Sequence, residues 1–217
     1  MKRKATGLTL PELVIGMTVT AVIGLCVAGV SMAISTGHAE GQEYGEYVQS
    51  ARMGVMRVGR ELRQASLVTA YDSNTLILWG GDTNRNGDIN LDELVSVSYD
   101  ASEKQIVKYQ KHFPSNWPDW FVALLNLNVD LDDVDNANSV ETYLRYGLLA
   151  ESTVLATDVM SFDVTAAPAA PLSRLVNVRF TVGDGGRSLT VSSAMKLRAD
   201  KTRRVYLNGN RYFLDNS

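Results

Sequence analysis

From Leu13 to Thr36 the chain runs for 24 residues without an acidic or basic side chain. As a helix that stretch is about 36 Å long, enough to cross the hydrocarbon core of a bilayer. Lys2, Arg3 and Lys4 precede it, and the first charges after it are Glu40, Glu43 and Glu46. Basic residues stay on the cytoplasmic side, so the expected orientation has the N-terminus inside and the bulk of the chain outside. A cleaved secretory signal is the first competitor, but its apolar region spans only about 7–15 residues. The expectation is a single-pass anchor with an extracytoplasmic head.

Glu12 is the anomaly at the edge of this segment, because a carboxylate in lipid costs about 2–4 kcal/mol. It can sit hydrated at the interface. It can also be compensated if the chain is cut after Gly7, within Gly7-Leu8-Thr9-Leu10-Pro11-Glu12. The new amino group on Leu8 would then lie one helical turn from the carboxylate, of the same chain or of a neighbour. Pro11 agrees with a cut: in a helix starting at Leu8 its missing N–H falls among the four that have no acceptor anyway.

The basic leader, Gly7, Glu12 five residues further on and the apolar run together resemble a type IV prepilin, with Leu8 standing where that family more often has phenylalanine. The resemblance implies a prepilin peptidase cutting after Gly7 and N-methylation of Leu8. It also implies Glu12 pairing with a neighbouring subunit's N-terminus during filament assembly on an inner-membrane platform. Loss of Met1–Gly7, with Lys2, Arg3 and Lys4, takes the net charge from −3 to −6.

Beyond the membrane Tyr44, Val48, Ala51, Val55, Val58, Leu62 and Ala65 recur at steps of four and three, the stripe of a helix lying on a sheet. Gly37, Gly41 and Gly45, with Gly29 and Ala33 ahead of them, fit either a helix-contact face or a melted stretch. Many pilins have a helix-breaking proline at the place of Gly29, which favours the break. From Ser66 the pattern turns to strands: 67–71, 75–79, 94–99, 105–110, 161–165, 175–182, 187–197, 205–207 and 211–214. Asp184-Gly185-Gly186 and Asn208-Gly209 supply hairpin turns. The fold class is α+β, a long N-terminal helix on antiparallel sheet. Its expected parts are a leader 1–7, a membrane segment 8–37, an amphipathic helix 38–66 and a β-rich head 67–217. An insertion, 112–158, carries helical patches at 120–126 and 140–149. This order is similar to the J-type minor pseudopilins of type II secretion and the W-type minor pilins. That likeness implies a subunit at or near a filament tip.

The loop 82–93 carries the second signal. Asp82, Asn84 and Asn86 occupy positions 1, 3 and 5, Gly87 position 6, Ile89 position 8 and Glu93 position 12. It resembles an EF-hand calcium loop between strands instead of helices. The expected Ca2+ ligands are Asp82, Asn84, Asn86, the Asp88 backbone carbonyl, Asn90 through water, and both oxygens of Glu93. With two asparagines the affinity expected is weak, about 10⁻⁴–10⁻³ M. Glu93→Gln is then expected to spare calcium-free stability. Asp130–Asn136 lacks the glycine and the final glutamate and reads as a solvated loop.

Trp117, Trp120 and Phe121 read first as buried anchors of the insertion. His38 and His112 are the two histidines and Cys26 the single cysteine, so no disulfide or histidine triad is available. No nucleophile–base pairing or phosphate loop appears, so an enzyme is not expected. No basic block marks a nucleic-acid partner. The expected partners are other pilin or pseudopilin subunits, the peptidase, the assembly platform and the membrane. A reading of another class is a permanently anchored calcium-binding interaction module that never assembles.

Overall fold

The computed structural model describes residues 9–86, 88–127, 129, 137–146, 149–184, 186–197, 205–208 and 211–214. Helix α1, Leu10–Gln64, is a single α-helix that is long and apolar enough at its N-terminal end to cross a membrane. It continues through Gly29, Gly37, Gly41 and Gly45, so the expected break there is not found. Glycine weakens a helix by about 1 kcal/mol but keeps its N–H, whereas proline removes a hydrogen bond. The chain divides into two compact units, Met1–Glu46 and Tyr47–Ser217.

In the second unit β1 (Leu67–Tyr71), β2 (Thr75–Trp79), β3 (Leu94–Asp100), β4 (Gln105–Lys111) and β5 (Ala150–Ala156) form an antiparallel sheet in chain order. A second antiparallel sheet holds β6 (Val159–Ala167), β7 (Leu175–Gly183) and β8 (Ser188–Lys196). β9 (Val205–Asn208) and β10 (Arg211–Leu214) pair as a hairpin. The protein is α+β, a long N-terminal apolar helix with antiparallel sheets, a layout consistent with pilins.

Strand alternation sorts the apolar residues of the first sheet onto two faces. Val68, Leu76, Leu78, Val97 and Ile106 face a core shared with Ala51, Val58 and Leu62 of α1 and with Phe162, Val178 and Phe180 of the second sheet. Leu67, Ile77, Trp79 and Val107 face the other core, with Ile89 and Leu91 of the 82–93 loop and Val140 and Leu144 of helix α3 (Ala137–Arg145). Glu141 of α3 accepts from Ser98 Oγ at 2.8 Å and Thr75 Oγ1 at 3.2 Å, while Arg145 pairs with Asp100. The Ser102 hydroxyl, the N–H groups of Ser102 and Glu103 and the Arg145 guanidinium hold the Asp100 carboxyl below its ordinary range against partial burial.

The amphipathic stripe of α1 is shorter than its sequence suggests. Burial begins at Ala51, and Tyr44 is exposed. Two glycines complete the buried stripe: a Cβ on Gly54 would lie 2.9 Å from Ala156 Cβ and 3.0 Å from Phe180 Cζ, and one on Gly59 would lie 3.0 Å from Met195 Sδ. The helix therefore approaches the sheets at backbone distance. Glu61 pairs with Lys108 at 2.8 Å, and the Arg57 guanidinium donates to the Val154 and Leu155 carbonyls, both at 3.3 Å.

The segment 112–158, expected as an insertion, holds two helices and a strand of the first sheet. Its last part is β5, the edge strand beside β4. From Glu151 to Val154 its residues are all exposed, so it carries no apolar alternation to read. Helix α2 is Asp119–Leu125, and α3 lies three residues earlier than its sequence patch and ends at Arg145. Leu149 has a φ of 70°, outside the helical region. Trp120 is 70% exposed, which overturns its reading as a buried anchor.

Candidate functional site

Two places carry the sequence signals, the start of α1 and the loop 82–93. Gly7 and Leu8, with the rest of the leader, lie outside the described residues, as do Gly87, the expected solvated loop Asp130–Asn136, Gly185 and Gly209.

At the start of α1, Glu12 Oε2 accepts from the Thr9 N–H at 2.9 Å and from Thr9 Oγ1 at 2.7 Å. Thr9-Leu-Pro-Glu12 makes the glutamate half of a capping box: the side chain three residues into the helix reaches back to the cap N–H. The Thr-x-x-Glu spacing before an apolar run is a sequence signal for it, so Thr9 is a site residue that could have been named from sequence. Among the described residues no bond reaches Glu12 Oε1. Gly16 and Thr20 follow Glu12 at steps of four, and with Leu13, Met17 and Ala21 they line a shallow groove along one side of the helix. Thr20 returns its hydroxyl to the Gly16 carbonyl at 2.8 Å, so the groove floor is small and the Thr20 hydroxyl is paired. Small residues at this spacing let a second helix come close in a membrane.

The loop 82–93 leaves β2 through Gly80 and Gly81. Gly81 has a φ of 117°, in the region that favours glycine. The side chains then turn onto the backbone ahead of them. Asp82 Oδ1 and Asn84 Oδ1 accept the Asn86 N–H at 3.2 and 2.9 Å, and Asn86 Oδ1 accepts the Asp88 N–H at 2.9 Å. Asn84 and Asn86 both donate their amide N–H to Asn90 Oδ1 at 2.8 Å. Five of the expected residues, Asp82, Asn84, Asn86, Asp88 and Asn90, are thus joined in one network.

Glu93 belongs to that network in a way the sequence did not disclose. It is 5% exposed. Its Oε1 accepts the Thr83 N–H at 2.6 Å and Thr83 Oγ1 at 3.0 Å; its Oε2 accepts the Trp79 indole N–H at 3.0 Å and the Asn90 N–H at 3.4 Å. A carboxylate has about four lone-pair sites, and all four are occupied here. The carboxylate therefore closes the hairpin between β2 and β3. Trp79 and Thr83 are residues that sequence spacing alone could not attach to it.

Calcium takes six to eight oxygens, and the donors fit it in part. Asn84 and Asn86 each spend one lone pair of a carbonyl oxygen on the backbone and retain another. Their amides, however, converge on Asn90, and Glu93 would have to surrender protein donors to clamp an ion. Among the described residues no three His, Cys, Asp or Glu side chains gather as a metal-holding group. The loop is also fixed from outside. Asp92 Oδ1 accepts from Asn126 Nδ2 at 2.9 Å while the Asp92 N–H donates to Asn126 Oδ1 at 3.1 Å. Leu91 N–H donates to the Leu127 carbonyl at 3.1 Å and Val129 N–H to the Ile89 carbonyl at 2.8 Å, a short antiparallel bridge.

No protein family, curated protein or solved structure matches this chain.

Proposed function

We propose that the protein is a minor pilin or pseudopilin subunit, cut after Gly7, methylated on Leu8 and assembled at or near the tip of a type IV pilus or type II secretion pseudopilus. The observation that carries this reading is the continuity of α1. One helix bears the Thr9–Glu12 cap and the apolar run, and also Ala51, Val58 and Leu62 of the head's core. A signal segment removed on export has no need to be one helix with the core of the mature domain. Glu12 supports the reading too, since Thr9 holds one oxygen and the other is available to a neighbour's amino group. The head works outside the cytoplasmic membrane, with the N-terminus inside.

The test is on processing and incorporation together. Protein extracted from native membranes should have an intact mass lacking Met1–Gly7 and carrying one added methyl group, and Gly7→Leu should block the cut. Glu12→Ala should be processed and inserted normally, because removing a charge eases insertion, yet be missing from sheared filaments. A native N-terminus at Met1 in cells that hold the peptidase would sink the reading.

Calcium is the second part of the proposal, with a structural role in the loop 82–93. Asp82, Asn84, Asn86, the Asp88 carbonyl, Asn90 and Glu93 would hold the ion. Its charge would bind together a network now joined by neutral amides. Binding by Glu93 draws the carboxylate away from the Trp79 indole, so the indole N–H resonance of Trp79 should shift on adding about 1 mM calcium to the head from Tyr47 onward. For a Kd near 10⁻⁴ M the same addition raises stability by about 1.4 kcal/mol. Magnesium, which dehydrates reluctantly, should do neither. An unmoved Trp79 signal with no gain in melting temperature would leave the loop as a hydrogen-bonded turn.

A further inference from the structure

The outward face of the second sheet carries a concavity of about 460 Å³, within the range of about 300–1,000 Å³ of small-molecule sites. Strand alternation decides which residues line it. Phe162, Val164, Val178 and Phe180 enter the first core, which leaves Asp163, Thr165, Asn177 and Arg179 on the opposite face. Register then gathers them: Asp163 lies opposite Arg179, Arg179 opposite Ser192, and Thr165 opposite Asn177. The turn between β1 and β2 adds Ser73, whose carbonyl accepts the Val164 N–H at 3.0 Å. Among the described residues no hydrogen bond or ion pair reaches the side chains of these six polar residues. Polar partners facing each other across strands ordinarily bond to one another. The Thr181 and Thr190 hydroxyls, one row along on the same face, do so at 2.9 Å. Asp163 and Arg179, of opposite charge, do not.

We propose that this concavity binds a zwitterionic small molecule of the α-amino-acid class, with a polar side chain. Facing residues have their Cβ atoms about 4.5–5.5 Å apart, so the Asp163 carboxylate and the Arg179 guanidinium overlook one small region. An α-amino acid carries its ammonium and its carboxylate on a single carbon, a few ångströms apart. Arg179 takes the ligand carboxylate with its planar fork of donors, and Asp163 takes the ammonium. Charge sets the class. One positive and one negative group sum to zero, and a phosphate would meet the Asp163 carboxylate as well as Arg179. Among the lining residues only Val164 is apolar and none is aromatic, so an apolar ligand finds no surface to cover and a ring no face to stack on. The hydroxyls of Ser73, Thr165 and Ser192 and the Asn177 amide both donate and accept. They suit a ligand side chain that ends in a hydroxyl or an amide. The site goes beyond the filament and calcium readings and needs neither.

The experiment is ligand-observed NMR on the detergent-purified full chain, with L-serine, L-asparagine and L-glutamine as probes. Saturation transfer from the protein to at least one of them is expected, and it should weaken as salt screens the two exposed charges. On the same chain the N-acetylated probe, which lacks the ammonium, and the C-terminal amide, which lacks the carboxylate, should each bind at least tenfold more weakly. Arg179→Met and Asp163→Asn should each cost the free amino acid a similar factor. Neither should move the melting temperature, because both side chains are exposed and make no bond among the described residues. The N-acetylated probe should bind Asp163→Asn as weakly as the parent, which ties Asp163 to the ammonium. Absence of transfer to all three amino acids overturns the proposal. Equal binding of the free and the blocked probes, or equal binding to the parent and both variants, overturns it too. Tighter binding of inorganic phosphate or glucose than of any amino acid makes the ligand an anion or a sugar and overturns it as well.

Discussion

Gly54→Leu should destabilise the head by about 5 kcal/mol and lower its urea midpoint steeply. The added Cβ alone meets Ala156 Cβ at 2.9 Å and the Phe180 ring at 3.0 Å. Ala156 offers only a β-carbon fixed to the backbone of β5, and Phe180 is 1% exposed in the shared core, so neither neighbour can swing away. Overpacking of a tight core costs about 1–3 kcal/mol for small additions. Four carbons that must push a helix off two sheets should cost about 5 kcal/mol, a large part of a typical stability of about 5–15 kcal/mol. Urea unfolding of the head from Tyr47, followed by circular dichroism, reads the loss. Gly59→Ala should cost far less, since the nearest atoms are the flexible ends of Met195 and Arg63. If Gly54→Leu unfolds at the same urea concentration as the parent, the close helix–sheet contact is wrong.

Glu93→Leu has the second large effect, and it needs no calcium. The substitution leaves the Trp79 indole N–H and the backbone N–H groups of Thr83 and Asn90 without an acceptor in a site that water hardly reaches. Each buried orphan costs about 1–3 kcal/mol, so about 4 kcal/mol in all is expected. That corresponds to a melting temperature lower by about 10 °C in a domain of this size. Glu93→Gln keeps one acceptor oxygen but turns an amide NH₂ towards two donors, and should lose about half as much. Both are measured with a chelator present. This replaces the expectation from sequence that Glu93→Gln spares the calcium-free protein. A calcium-free melting temperature unchanged in both variants would return Glu93 to the role of a ligand alone.

Much of the layout is legible in the residues because local patterns specify it. Thr75–Trp79 is an apolar run between Asp72-Ser-Asn and Gly-Gly, and it is β2 with the same bounds. The α1 stripe from Ala51 to Leu62 follows from its period. β5 escaped because four of its seven residues face water. Gly54 and Gly59 escaped for a different reason: in a helix a glycine reads as weakness. Only Phe180 and Met195, more than a hundred residues away, make it a contact. The Glu93–Trp79 bond likewise depends on the pairing of Trp79 with Leu94, a product of register. Trp120 misled because a tryptophan beside a phenylalanine usually marks a core. The bond from the Thr9 N–H to Glu12 is legible in the Thr-x-x-Glu spacing before an apolar run.

The helix that is long and apolar enough to cross a membrane is also a wall of the first core, and this sets how the head bears mechanical load. A pull applied to α1 loads the stretch from Ala51 to Ala65, about 21 Å of contact. Drawn along its own axis, that stretch slides against the sheets, and its knobs at Ala51, Val58 and Leu62 must leave their sockets together. Shear spreads the force over every contact, whereas peeling would break them singly. The Glu61–Lys108 pair and the two Arg57 bonds to β5 lie across the sliding surface as cross-ties. The second core, on the other face of the same sheet, contains no residue of α1 and takes no direct share of that load.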